Sequence, residues 1–431
     1  MEKLLKFIEK SPNAWFAVKN ITELLQAQGY QTCSHGDEAP LKSGGKYMVT
    51  KNGSALIAFQ LPRGKAASFH IMASHSDSPA FKIKPNAEIV FESRYVKLNT
   101  EKYGGMILST WLDRPLSVAG RIAVRKKNGL SMELVNIDRD LLVIPSLAIH
   151  MDRKLNEGYA YNAQNDLLPL FGTAGKEQGF LTLLSEAAGV TPEAILETDL
   201  FLYNRDKGTL FGAEKEFLGS PRLDDLQCAY ASLQGFLAAK PKDAVSVYCI
   251  MDNEEVGSTS KQGAAGTFLI DTLRLIARGL GRDEAGYQSM LSGSFLISAD
   301  NAHAVHPNHP EKADPSNRPY LNGGIVIKYN ANQKYTTDAM SAGICRLLCE
   351  KAAVPYQVFT NRSDIPGGST LGNIASTHLS IPMVDIGLPQ LAMHSAFETA
   401  GAEDTVSLIK LAETFYSASL TIKEERTVTL T

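Results

Sequence analysis

Two adjacent carboxylates, Glu254 and Glu255, stand in the segment Asn253-Glu254-Glu255-Val256-Gly257, directly after an apolar run at 245–251. Neighbouring carboxylates repel, so keeping both ionised at the end of a buried strand is costly unless one neutralises a cation. A division of labour resolves the conflict: Glu255 ligates a metal ion, and Glu254 takes a proton from the water that the ion acidifies. Taken alone, the pair also reads as a solvated acidic loop.

Four further positions extend the pattern. His75 precedes Asp77 in Ser74-His75-Ser76-Asp77-Ser78-Pro79. A ligating histidine needs a carboxylate to fix its tautomer and raise its basicity, and Asp77 is placed to supply one. Asp224-Asp225 opens a helical segment after Ser220-Pro221-Arg222-Leu223. Either a helix cap or a bridging carboxylate, with one oxygen for each of two cations, accounts for Asp224. Asp300 ends another apolar run and is followed by His303 and His306, in a chain with nine histidines. His394 lies in Leu391-Ala392-Met393-His394-Ser395, an apolar loop where an unpaired imidazole is awkward. Each residue has an ordinary explanation. Together they would need five separate ones, all at strand ends of one sheet.

The elements that must hold these residues are legible around them. Near-continuous apolar runs at 68–74, 245–251, 294–299 and 382–386 lead into His75, Asp252, Asp300 and the 387–395 loop. Such runs suit strands covered on both faces. Helical patterns at 226–237, 267–280 and 339–351 alternate with them, which argues for an α/β layered fold. Ligand sites in such sheets lie beyond the carboxyl ends of the strands, where the charged clusters fall. Ser11-Pro12 reads as a helix start running to about Gln26. Between 81 and 219 the texture changes. Asn128-Gly129 is a type I′ hairpin signal between alternating segments, and 94–98, 116–125 and 130–137 read as short strands. The expected division is a discontinuous α/β catalytic domain, 1–80 and 220–431, with an inserted β-rich oligomerisation domain at 81–219.

Composition narrows the function class. The formal net charge of −3 offers no basic footprint for nucleic acid and no attraction to an anionic membrane. No run approaches the roughly 18 apolar residues of a span, and charges scattered through MEKLLKFIEK make an amphipathic helix rather than a signal peptide. A cytoplasmic location is the expectation. Five cysteines with no Cys-x-x-Cys pair signal neither a disulfide framework nor a thiolate zinc site. Neither Ser43-Gly44-Gly45-Lys46 nor Pro366-Gly367-Gly368-Ser369-Thr370 has the spacing of a phosphate loop.

The order His75-x-Asp77, Asp224-Asp225, Glu254-Glu255, Asp300, His394 resembles the co-catalytic zinc aminopeptidase clan. Within it the chain looks like the aspartyl aminopeptidase family, through LKSGGKYMVTKNGSALIAF, ASHSDSPAFKIKP, SLAIHMDR, DNEEVGS, SADNAHAVHPN and IGLPQLAMHS. Departures are small. Asp225 stands where an asparagine is frequent, which leaves Asp224 intact, and Gly367 stands where the family often has cysteine.

The resemblance implies a three-layer αβα zinc-aminopeptidase-like domain and two zinc-type ions about 3.5–4 Å apart. Asp224 would bridge them, His75 and Asp300 completing one site, Glu255 and His394 the other. Cobalt or manganese could replace zinc in such a ligand set. Glu254 would pass the water's proton to the leaving amine. A substrate α-amine could bind a metal directly, which would make the enzyme an exopeptidase acting on peptides with a free N-terminus. The family prefers N-terminal Asp or Glu, which needs a cation in the side-chain pocket. Lys328, in Gly324-Ile325-Val326-Ile327-Lys328, is the nominee, against a plain strand-end lysine with its head in water. His150 and His306 are candidates for contacting substrate or metal, while His303 is expected to support its loop. Family members form dodecamers through the inserted domain, so His150 could reach a neighbouring subunit. The rivals are a neutral-residue aminopeptidase, a two-metal amidohydrolase or deacylase, and a self-assembling protein with a structural metal site.

Overall fold

In the computed structural model, which describes residues 1–37, 40–176, 178–424 and 426–431, side-chain alternation on the buried strands builds one sheet with two apolar faces. The Ala244–Met251 strand shows how. Tyr248 and Ile250 pack on one side with the helices Ala14–Ala27, Leu223–Ala238, Ala339–Ala352 and Ala402–Ser417. Val245, Val247, Cys249 and Met251 pack on the other with Phe268–Gly279 and Glu284–Ser292. The result is the three-layer αβα arrangement.

The sheet has nine strands, in the order Gln31–Thr32, Lys46–Lys51, Ala55–Gln60, Ala244–Met251, Ser68–His75, Phe295–Ala299, Met383–Gly387, Ile325–Tyr329 and Tyr356–Thr360. From Ala244–Met251 through Ser68–His75 and Phe295–Ala299 to Met383–Gly387, each strand is parallel to the next. Their chains therefore leave the sheet at one edge, with Met251 opposite His75. Asp252, Asp300 and the loop after Gly387 all follow at that edge.

The inserted region forms a second, wholly antiparallel sheet. Its six strands run in the order Gly129–Asn136, Leu116–Lys126, Ile195–Asn204, Ala80–Phe91, Tyr95–Tyr103 and Leu170–Thr173. It has its own core, including Phe81, Trp111, Val118, Leu200 and Leu202. The strands Thr209–Phe211 and Phe217–Ser220, inside the expected 81–219 span, sit elsewhere. Thr209–Phe211 pairs with Phe217–Ser220, which pairs with Glu398–Gly401, in a five-stranded sheet that also holds Ala302–His303 and Pro389–Leu391.

Two local expectations need correction. The helix expected to start at Ser11-Pro12 spans Ala14–Ala27 and is capped by Asn13, whose side chain accepts the Phe16 N–H. The hairpin at residues 116–136 exists, but Lys126 pairs with Gly129, so its loop is Lys127-Asn128. Neither loop residue has positive φ, and only Gly129 does (φ 143°), whereas a type I′ turn needs both. The ladder behind the turn sets the register and overrides the dipeptide signal.

Candidate metal centre

His75 ends its strand and is 1% exposed. Its Nδ1–H donates to the Asp77 carbonyl at 3.1 Å, because a carbonyl can only accept. Nε2 is thereby turned toward acids: 3.3 Å from Asp224 Oδ1 and 3.8 Å from Asp300 Oδ1. His394 repeats the arrangement. Its Nδ1–H donates to the Gly105 carbonyl, and Nε2 stands 3.4 Å from both Asp224 Oδ2 and Glu255 Oε2. Asp224 thus presents one oxygen to each imidazole.

These separations have a meaning. A charged N–H···O hydrogen bond is about 2.7–2.9 Å long, shorter than any of the four. Donors held tetrahedrally about 2.0–2.1 Å from a zinc ion lie roughly 3.3 Å from one another. Ligand atoms of His75, Asp224, Asp225 and Asp300 form one compact group, and those of Asp224, Glu255 and His394 another. Asp224 Oδ1 and Glu255 Oε1 are buried with no hydrogen-bond donor among the described residues, a costly state for a carboxylate. The donor set fits two cations sharing Asp224.

The electrostatics agree. Burial pushes Glu254 up to about 8, with Asp300, Asp77 and Asp224 adding to it against His75. Glu255 and Asp225 are raised well above the usual carboxylate range, again chiefly by burial. Burial also opposes the charge on each imidazole, but Asp224 and its neighbours outweigh it: His75 is raised well above its ordinary value and His394 to about 9. The cluster holds more acid than it can ionise without added positive charge. Divalent ions bound there would supply it.

The capping account of Asp224 does not hold. Asp224 and Asp225 have non-helical backbone at the start of Leu223–Ala238, no side chain caps that helix, and Asp225 Oδ2 instead accepts the His75 N–H at 3.1 Å. The Asp77 carboxylate was expected to fix the His75 tautomer, but the Asp77 backbone carbonyl does so, and the carboxylate, with Oδ1 3.4 Å from Nδ1, is engaged elsewhere. Its oxygens accept the backbone N–H groups of Glu254 and Glu255 at 3.1 and 3.2 Å and the Tyr103 hydroxyl at 2.7 Å. One carboxylate so joins the His75 strand, the glutamate turn and the inserted sheet.

Beside the acids opens a cavity of about 180 Å³, lined in part by Glu254, Asp300, His303, Lys328, Tyr335 and Phe359. Glu254 reaches it, whereas the Glu255 side chain is 2% exposed and faces His394. Lys328 is no strand-end lysine with its head in water. It is 2% exposed, with Nζ 3.5 Å from Asp300 Oδ2, donating to the Asn301 carbonyl at 3.1 Å and lying over the Tyr335 ring. His303 borders the cavity; His306 does not, and is exposed with Nδ1 accepting the Asn308 N–H. His150 is exposed on the inserted region, among Leu147, Ile149 and Met151.

Sequence reading missed the supports: Tyr103 and Gly105 from the insert, and Glu398, whose oxygens accept the backbone N–H groups of His394 and Asp224 at 2.8 and 3.1 Å. A lone acid inside the apolar stretch Ser395-Ala396-Phe397-Glu398 was the available signal for Glu398. Tyr103 carried none.

Residues 7–416 match the family described as Aminopeptidase I zinc metalloprotease (M18). The chain belongs to the M18 aminopeptidase family. It is 47% identical to a probable M18 family aminopeptidase 2 of Clostridium acetobutylicum, over 96% of this chain and 98% of that one. A namesake from Pseudomonas aeruginosa is 40% identical over 96% of this chain and 97% of that one. Among solved structures, a chain of an Ape4 and Nbr1 complex superposes with TM-score 0.93 at 35% identity, covering 96% of this chain and 85% of that one. The S. cerevisiae mApe1 dodecamer superposes with TM-score 0.85 at 25% identity, covering 96% of this chain and 95% of that one. The M18 chain is therefore a metal-using peptide-bond hydrolase of aminopeptidase type. No helix among the described residues is long and apolar enough to cross a membrane.

Proposed function

We propose that this M18 enzyme removes N-terminal residues, preferring Asp and Glu, with Glu254 as general base beside two divalent ions. His75 and Asp300 would hold one, Glu255 and His394 the other, and Asp224 both; zinc is the first choice, cobalt or manganese the alternatives. The observation that carries this is the pair of imidazole Nε2 atoms, each 3.3–3.4 Å from a different oxygen of Asp224, the edge length of a zinc tetrahedron. When bound, such ions supply Lewis acidity that polarises a carbonyl and acidifies water.

The chain's own residues do the rest. Glu254 borders the cavity, where a carboxylate can take a proton and return it to a leaving amine. Asp77 holds the backbone amides of both glutamates and so fixes which acid faces the cavity. A cavity of about 180 Å³ is smaller than a drug-sized site and suits one residue.

Lys328 would select the acidic side chain. Two of its three N–H groups face Asp300 and Asn301, leaving one for the cavity. The same ion pair favours a second reading, neutral-residue preference, because Asp300 already answers the charge. Comparing kcat/KM for Asp-, Glu- and Leu-p-nitroanilides, with and without chelator, decides. Acidic substrates should lead and chelation should abolish turnover; activity that survives chelation refutes the mechanism.

A homo-oligomer, up to a dodecamer like that of S. cerevisiae mApe1, is also proposed. Leu130, Met132 and Leu134 on the edge strand of the inserted sheet, with Leu147, Ile149 and Met151 nearby in the chain, are exposed. Exposed apolar edges of this kind call for a partner. His150, exposed between Ile149 and Met151, would reach a neighbour's site; His306 would contact substrate beyond the cavity rim. We assign the enzyme to the cytoplasm.

A further inference from the structure

Glu398 is tied to both sides of the ligand cluster, and we propose that it is a positioning residue for the ion held by Asp224, Glu255 and His394. This rests on the two-ion reading above and deepens it. Its Oε1 accepts the His394 N–H at 2.8 Å and its Oε2 the Asp224 N–H at 3.1 Å. The residue is 2% exposed, on the Glu398–Gly401 strand. Both donors belong to residues whose side chains meet in one ligand group, Asp224 Oδ2 and His394 Nε2, 3.4 Å apart.

His394 needs such a hold. It sits in a loop outside any helix or strand, at φ 67°, in the left-handed region that is uncommon for residues other than glycine. Packing alone is a poor account of Glu398, because a carboxylate buried beside Asp224 is electrostatically unfavourable. What a carboxylate offers is acceptance on two oxygens at once, with no donor of its own. Glutamine at the same size offers one oxygen and turns its NH₂ toward the other amide. Two of the three ligands of the Asp224–Glu255–His394 group depend on Glu398. In the other group only the shared Asp224 does. The two ions should therefore respond unequally to its loss.

The test is titration of the metal-free full chain with Co²⁺ against a competing chelator, followed by visible absorption, for wild type, Glu398→Gln and Glu398→Ala. Melting of each metal-free protein is recorded alongside. Wild type should bind two Co²⁺ per chain. In both variants one affinity should stay within about threefold while the other weakens by about 10–100-fold, as for other residues that support ligands, with the second ion's spectrum altered. Two unchanged affinities would overturn the proposal. So would two affinities falling together with the metal-free melting temperature, the mark of a packing role. A wild type that binds a single ion would overturn the two-ion reading itself, and the proposal with it.

Discussion

Glu254 and Glu255 are consecutive, yet one borders an open cavity and the other is enclosed against His394. In the proposed mechanism that difference separates a proton carrier from a ligand. Glu254→Gln keeps the shape and removes the base, so kcat/KM should fall by about 10²–10⁴ while metal content stays at the wild-type level. Metal lost with Glu254→Gln would mean that the two roles are exchanged. Lys328→Ala tests selectivity. The ratio of Asp- to Leu-substrate kcat/KM should drop by about tenfold or more, the scale of one charge-assisted hydrogen bond; an unchanged ratio assigns selectivity elsewhere. Both residues announced themselves in the sequence, as an acid pair after an apolar run and as a lysine ending one. Their surroundings did not: the Lys328–Asp300 pair spans strands that Met383–Gly387 separates in the sheet, and no local pattern encodes it.

At the scale of elements, four parallel strands bring His75, Glu255, Asp300 and His394 to one edge, the start of Leu223–Ala238 adds Asp224, and the inserted sheet reaches the same place. The segment Tyr103-Gly104-Gly105 reaches from that sheet to Asp77, Glu255 and His394. Gly104 has φ 79°, and a Cβ there would lie 3.1 Å from the Glu255 Cβ. Gly104→Ala should therefore displace Glu255 and lower metal affinity by about tenfold or more, with secondary structure by circular dichroism unchanged. Wild-type affinity in that variant would show that the insert does not set the ligand geometry. Three of the four parallel strands were readable as apolar runs leading into His75, Asp252 and Asp300, and the fourth as one leading into the 387–395 loop. The sheet assignment of Thr209–Phe211 and Phe217–Ser220 was not, since a short strand looks the same whichever sheet it joins. We propose that the insert ends after Asn204, where its sheet does. The Asn13 cap was hidden for a related reason: Ser11 and Asn13 are both good caps, and only tertiary packing chooses between them.

The whole molecule adds two dependences on conditions. Ions that bind only the folded chain stabilise it by mass action, about 4 kcal/mol per site at a thousandfold excess over Kd. Chelation should lower the melting temperature, and restoring zinc should recover it. Acid acts elsewhere too. His70 is fully buried, donates from Nδ1 to the Phe415 carbonyl at 3.1 Å and stacks on that ring. Burial pushes its pKa down to about 4 from 6.5. Between those values the unfolded chain binds the extra proton, so stability falls as pH drops below 6.5 and the loss is complete below about 4. Between pH 7 and pH 5 this amounts to about 2 kcal/mol. His70→Phe should flatten the urea-unfolding free energy over that interval by the same amount; an unaltered slope would put the acid sensitivity in other groups.

The central claim is that five side chains hold two ions through one shared carboxylate. Anomalous diffraction at the zinc edge, from crystals grown with zinc, tests it most directly. Two peaks should appear, one between His75 and Asp300, one between Glu255 and His394, both against Asp224. A single peak, or peaks away from Asp224, would contradict it.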